Sequence, residues 1–256
     1  MAILVYGDVM LDEWRIGSVD RISPEAPVPV LLERGYKRNV GGAGNLAVNL
    51  ASINGEVDLY GPLGKDKQGY GFLDLLKDTK VNSYLSSCME ATTSKVRIVS
   101  TQGQQICRFD TDAICECTEA EDRFINSVNE NDLVVISDYN KGAVRRDTVA
   151  KALGKGAKVL VDPKQSPSYY TGAFLVKPNM KEYVEWFGEF NYVDARDHLK
   201  EYDWEWLVVT DGADGIYIVN STDHWHCKEE VLEVADVSGA GDTLMAIIAP
   251  RLNKGK

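Results

Sequence analysis

The chain has 256 residues, 44% of them hydrophobic and 26% charged, enough to bury one large core without disulfide or metal staples and unlike a disordered segment. Its 28 basic and 39 acidic residues give a formal charge of −11, which argues against a dedicated nucleic-acid binder but leaves room for a local cationic pocket. No run is apolar and long enough to span a bilayer, and the chain enters at once on an apolar strand without a basic leader, so no membrane partner and a cytoplasmic location are expected.

Residues 3–6 read as a buried strand ending at Gly7-Asp8. Leu46, Ala47, Leu50, Ala51 and Ile53 make a helical apolar stripe closed by Asn54-Gly55, and residues 57–60 resume strand. Phe72, Leu73, Leu75 and Leu76 mark a second helix. Four compact apolar runs follow, at 133–136, 159–161, 174–176 and 207–209, each with polar residues directly after it. Strands alternating with helices predict a sheet covered by helices, and ligands of such sheets gather at the carboxyl ends of the strands. Two stretches break the rhythm. Residues 17–32 carry Pro24, Pro27 and Pro29, and residues 94–110 read as two strands around Gln102-Gly103-Gln104; together they predict a small β lid.

Gly239-Ala240-Gly241-Asp242 precedes an apolar helical run, so its bare N–H groups suit an anion at a helix N-terminus. Asp242 is expected to stay ionised there and to accept a hydroxyl proton; the competing reading is a plain tight turn. Gly41-Gly42-Ala43-Gly44-Asn45 opens another helix and matches a dinucleotide fingerprint only formally, since no good core strand precedes it. Close backbone approach to a polar ligand, with Asn45 offering an amide, is the better reading. Asn179 and Glu182 share one face of a helix start, which suits either Mg²⁺ held through water or a capping box. Lys95 and Arg97 alternate onto one strand face, as a phosphate clamp or as solvated edge charge. The five cysteines are scattered and odd in number and are read as reduced; His224 and His226 are read as surface strand residues. No Walker motif, zinc-protease helix or Gly-x-Ser-x-Gly elbow occurs.

Taken in order, these segments resemble the ribokinase-like (PfkB) sugar kinases. They are Gly7-Asp8-Val9-Met10-Leu11-Asp12, the proline-rich residues 21–30, residues 41–45, Ser137-Asp138-Tyr139-Asn140-Lys141-Gly142, Val161-Asp162-Pro163-Lys164, Lys177-Pro178-Asn179 with Glu182, and residues 236–243. The proline-rich segment resembles most closely the branch acting on D-glycero-D-manno-heptose 7-phosphate. The resemblance implies one ribokinase-like α/β/α sandwich over residues 1–256, C-terminally shortened, with lid segments at about 15–38 and 92–112.

It further implies Asp242 as catalytic base and Gly239, Ala240 and Gly241 as an anion hole. ATP would lie at Asn179, Met180, Lys181, Glu182, Thr210, Gly212 and Gly215, with Mg²⁺ at Asn179 and Glu182 through water. Asp12, Gly41, Gly42, Asn45, Asp138 and Lys141 would hold sugar, and Lys95 and Arg97 its phosphate. The expected reaction is ATP-dependent phosphorylation of the anomeric hydroxyl, for nucleotide-activated heptose synthesis, by a homodimer joined through the lid. A same-fold kinase for another sugar, or a non-catalytic sugar-phosphate binder, are the alternatives. Pro250 is read as interrupting the last helix, where family members continue with further helices around adenine, so nucleotide is expected to be the weaker ligand. No adenylyltransferase half is fused here, so that second activity of some relatives is expected to be absent or elsewhere.

Overall fold

The computed structural model describes residues 3–228 and 239–253, so Asp236, Val237 and Ser238 of the last motif lie outside the described residues. In chain order, β1 (Ile3–Gly7), β2 (Val9–Ile22) and β3 (Pro29–Gly42) lead into α1 (Ala43–Asn54). Next come β4 (Val57–Tyr60), β5 (Pro62–Gly64), α2 (Lys67–Leu76), β6 (Val81–Ser83), β7 (Ser86–Met89), β8 (Ser94–Ser100) and β9 (Gln105–Thr111). Then α3 (Thr118–Ser127), β10 (Leu133–Ser137), α4 (Thr148–Leu153), β11 (Lys158–Asp162), β12 (Leu175–Val176), α5 (Met180–Phe187) and α6 (Tyr192–Glu201) follow. The described chain closes with β13 (Trp206–Thr210), β14 (Ile216–Val219), β15 (His224–Cys227) and α7 (Ala240–Asn253).

The apolar runs form a nine-stranded sheet in the order β15-β14-β13-β12-β11-β10-β1-β4-β6, with every pairing parallel except β13–β14 and β14–β15. Parallel strands buried on both faces read as continuous apolar runs because neither face meets water. Side chains alternate across the sheet: Leu4 and Tyr6 join Phe124, Ile136 and Tyr183 in one core, whereas Ile3 and Val5 join Leu46, Leu50, Met245 and Ala249 in the other. Helices α1 and α7 therefore lie together on one face, with α3 to α6 on the opposite one. This is the expected three-layer α/β/α sandwich.

The predicted β segments form a second sheet, ordered β3-β2-β8-β9. It reaches further than the sequence suggests, because the β2–β3 hairpin pairs from Val9↔Gly42 outward to Ile22↔Pro29. Pro29 sits at the first residue of its strand, where a missing N–H costs no ladder bond. Three other expectations change. Ile53 is 54% exposed and leaves the apolar stripe of α1. Pro250 lies within α7, whose buried Met245, Ala246 and Ala249 hold the helix against the sheet past one lost hydrogen bond. Cys88 and Cys117 are joined in a disulfide rather than reduced, since β7 and the segment entering α3 bring their Cα atoms to 6.4 Å.

Asp8, buried at the end of β1, fixes the loop that follows β10. Its Oδ2 accepts from the N–H groups of Tyr139 (2.8 Å) and Lys141 (3.1 Å), and its Oδ1 from that of Ala143 (2.9 Å). Burial pushes the Asp8 carboxyl up, while these three donors pull it back. Asp8→Ala would orphan three backbone donors, two of them part-buried and one buried, and is expected to destabilise the fold by roughly 3–5 kcal/mol, measured from urea unfolding midpoints.

Candidate active site

Two helix N-termini meet beside the carboxyl ends of β1 and β10. α1 begins after Gly42, whose φ of +57° favours glycine and whose added Cβ would lie 2.2 Å from the Asp8 carbonyl oxygen. α7 begins after Gly239, where φ is +84° and a Cβ would lie 2.9 Å from the Asn45 side-chain nitrogen. That nitrogen, Asn45 Nδ2, donates to Asp242 Oδ2 at 2.6 Å and ties the two helices together. The first α7 ladder bond runs from Thr243 N–H to Gly239 O at 2.9 Å, so the N–H groups of Ala240, Gly241 and Asp242 precede the helical ladder.

Asp242 is 4% exposed, and its Oδ1 is the only buried carboxylate oxygen without a hydrogen-bond partner among the described residues. Burial pushes its pKa up to about 6; the Asn45 amide and Lys177 oppose this, and Asp162 and Asp12 reinforce it. This corrects the expectation that the helix N-terminus would govern the group: desolvation outweighs the dipole. At pH 7 the carboxylate is still mostly ionised, with a basicity close to what a general base needs.

Asp242 and Gly239 line a cavity of about 480 Å³ together with Asp12, Gly41, Gly42, Asn45, Lys95 and Arg97. Eight residues singled out from sequence thus converge on one space. Asp12 Oδ1 accepts from Arg97 Nη1 at 2.6 Å, so the two are partners as well as lining groups. The Lys95 ammonium stands 5.7 Å from the Tyr139 ring centroid. Trp14 lies between two cations, with Arg97 4.9 Å and Lys37 5.6 Å from its ring. Trp14, Lys37, Asn39 and Tyr139 also line the cavity and were missed from the sequence. The signal existed on β2, where Met10, Asp12, Trp14 and Ile16 alternate onto the cavity face. For Tyr139 no such signal exists, because the Asp8 bonds to its loop place it.

Asp138 and Lys141 do not line this cavity. The Asp138 carboxylate accepts from Tyr170 Oη (2.6 Å), Gln165 Nε2 (3.0 Å) and Asn140 N (2.7 Å), and burial pushes its pKa up to about 6. Lys141 Nζ pairs with Asp112 Oδ2 at 2.7 Å, tying the end of the smaller sheet to this loop. A larger cavity of about 830 Å³, at the amino ends of β10 to β12, is lined by none of the motif residues.

The second half of the site follows β12 and β13. Asn179 bridges to Thr210, and Thr210 N–H donates to Pro178 O at 3.1 Å, so the two predicted nucleotide segments are adjacent. Gly212 and Gly215 form a tight turn closed by Asp211 N–H to Gly215 O at 2.8 Å. Met180 and Lys181 occupy the first turn of α5, with Lys181 exposed. Asn179 and Glu182 form a full capping box: Asn179 Oδ1 accepts from Glu182 N and Glu182 Oε2 from Asn179 N, both at 2.9 Å. Glu182 Oε1 takes Lys164 Nζ at 2.9 Å. Their oxygens are already hydrogen-bonded, and no cluster of three or more His, Cys, Asp or Glu able to hold a metal occurs among the described residues. The pair therefore suits Mg²⁺ through bound water, not direct ligation. His224 and His226 lie on exposed β15 and contact Arg196 and the Asp214 carbonyl.

Residues 2–256 match the pfkB family carbohydrate kinase family. The chain is 37% identical to the "Bifunctional protein HldE" of Shewanella loihica over 266 residues, 99% of this chain and 56% of that protein. It is equally similar, at 37%, to the HldE protein of Methylococcus capsulatus, again covering 99% and 56%. The chain thus spans about half the length of the curated relatives it matches. Phosphofructokinase-2 from Escherichia coli, solved with substrates and products, superposes with a TM-score of 0.80 at 20% identity, covering 99% of this chain and 87% of that one. Ribokinase from Thermotoga maritima superposes with a TM-score of 0.76 at 19% identity, covering 100% and 87%. These solved structures share the fold.

With Asp242 protonated below about pH 6 and basic above it, kcat/KM is expected to rise about tenfold per pH unit up to pH 6 and to level off by pH 7. Asp242→Asn should lower turnover about 10²–10⁴-fold. Because the folded pKa of about 6 lies above 3.8, the ionised carboxylate costs stability as pH rises through that window. The variant should therefore melt no lower than the parent at pH 7, with its relative stability growing from about pH 4 to pH 6 and level above that.

Proposed function

The chain belongs to the PfkB carbohydrate kinase family and is a phosphotransferase acting on a sugar hydroxyl, and from this premise we propose that it phosphorylates the anomeric hydroxyl of D-glycero-D-manno-heptose 7-phosphate, giving the 1,7-bisphosphate. ATP, the donor that the family implies, gives up its γ-phosphoryl group. The observation that carries the chemistry is the unpartnered, buried Oδ1 of Asp242 at the mouth of a helix N-terminus. A sugar hydroxyl entering the cavity would satisfy that oxygen and give it a proton while the hydroxyl oxygen attacks phosphorus. The N–H groups at residues 240–242 would receive charge developing on the phosphoryl oxygens. Asn45, by holding Oδ2, keeps Oδ1 turned to the acceptor. Mg²⁺, bound through water near Asn179 and Glu182, would offset phosphate charge.

The heptose assignment rests on the proline-rich segment at residues 21–30 and on the likeness to the HldE proteins. It is supported by a row of cations away from Asp242. Trp14, with Lys37 and Arg97 beside it, stands two residues further along β2 than Asp12, about 7 Å on for an extended strand. An acceptor bearing phosphate at the end opposite its reacting hydroxyl matches that polarity. The smaller sheet acts as a lid that excludes water from the transfer. Its far face exposes Tyr36 and Phe109, each 60% accessible, which fits a homodimer joined through the lids.

In an ATP-consumption assay across heptose and hexose phosphates, heptose 7-phosphate should be turned over best, and unphosphorylated heptose at least tenfold less efficiently. Lys95→Ala with Arg97→Ala should narrow that gap, because charge-assisted contacts to the phosphate are lost. Equal efficiency on heptose and its 7-phosphate in the parent would reject the assignment. Tyr36→Asp with Phe109→Asp should shift the protein from dimer to monomer in sedimentation velocity; an unmodified protein that sediments as a monomer would reject the lid interface.

A further inference from the structure

Lys177, just past β12, is the only buried lysine or arginine among the described residues, at 3% exposure. Its ammonium has three donors, yet its one partner among the described residues is Asp162 Oδ1 at 2.9 Å. A buried ion pair commonly returns less than its desolvation costs, and spare donors on a buried charge add to that cost. Such a pair calls for a reason beyond stability.

Its location supplies one. A Cβ added to Gly241 would lie 3.1 Å from Lys177 Nζ and 3.7 Å from Asp162 Oδ2, so the pair presses on the first turn of α7 where glycine leaves room. A helix N-terminus carries partial positive charge and ordinarily repels a cation. Here an ammonium with one ion-pair partner among the described residues is held against that end, beside the N–H groups of residues 240–242 that precede the helical ladder. The combination is unfavourable when empty and strongly favourable for a group bearing several negative charges. Asp162 offsets the cation at rest.

Resting on the kinase reading above, we infer that Lys177 is a catalytic residue whose ammonium donates to the oxygens of the phosphoryl group in transit at the α7 N-terminus. The sugar oxygen forms its bond to phosphorus, the bond from phosphorus to the bridging oxygen of ADP breaks, and the sugar proton passes to Asp242 Oδ1. Lys177 keeps its protons throughout and supplies charge where charge moves. Lys177 stands in the Lys177-Pro178-Asn179 segment of the family resemblance, but the sequence by itself assigns it no role.

The test compares Lys177→Met with the parent, by calorimetry of Mg²⁺-ADP and of Mg²⁺-ADP with aluminium fluoride in the presence of sugar phosphate, and by steady-state kinetics. The variant is expected to lose about 10²–10³-fold in kcat and to bind the fluoride complex about 10²-fold more weakly, with ADP and sugar-phosphate affinities within about threefold. A second variant, Lys177→Met with Asp162→Asn, leaves no unpaired buried charge and is read by the same binding comparison should the first not fold. Retention of the parent's preference for the fluoride complex over ADP in either variant overturns the assignment. So does an equal loss of affinity for every ligand, which marks a structural role. An unmodified protein inactive on every sugar phosphate overturns the kinase reading and this assignment together, whereas an active parent with an equally active Lys177→Met overturns this assignment alone.

Discussion

The hydrogen bond from Asn45 to Asp242 joins the starts of two helices nearly two hundred residues apart in sequence, and the site is built around it. Both helices lie on one face of the sheet, so their positive ends converge beside the strand ends instead of dispersing around the molecule. Glycine is required on each side of the junction: at Gly42 the Asp8 carbonyl, and at Gly239 the Asn45 amide, occupy the space a side chain would need. The same crowding takes Asp242 out of water and raises its basicity. The convergence of two helix N-termini and the raised basicity of Asp242 thus arise from one packing arrangement.

Two other buried carboxylates are fully held. Glu121, fully buried on α3, is held by Arg145, Thr148 and Lys151, and Asp8 by three backbone donors. By contrast Asp242 Oδ1 has no hydrogen-bond partner and Lys177 has one ion-pair partner among the described residues, capacity that the proposed transfer would use. One is an acceptor and the other a donor, as a transfer that moves a proton one way and negative charge the other requires.

The smaller sheet brings cavity-facing residues to the main sheet by alternation. Asp12 and Trp14 face the cavity because they are two apart on β2, while Glu13 between them turns away and is bound by Arg15 and Arg38. Parallel pairing of β2 with β8 sets Asp12 beside Lys95 and Trp14 beside Arg97. One strand therefore carries a carboxylate and an indole to the cavity, and its neighbour the cations.

Much of this was legible in the sequence. Apolar runs specified the core strands because burial on both faces leaves no room for polar residues, and glycine turns before apolar helices marked both helix starts. Asp12, Asn45, Lys95, Arg97 and Asp242 were readable because strand and helix periods fix which residues share a face. Their assembly into one cavity was not, since a parallel sheet brings together residues far apart in the chain. Tertiary structure also decided the exceptions. Asp138 spends its carboxylate on Tyr170 and Gln165, Cys88 meets Cys117, and Lys177, given no role by the sequence, is buried beside the start of α7. In each case the outcome depends on a long-range neighbour and on how much water is excluded, and a local sequence pattern encodes neither.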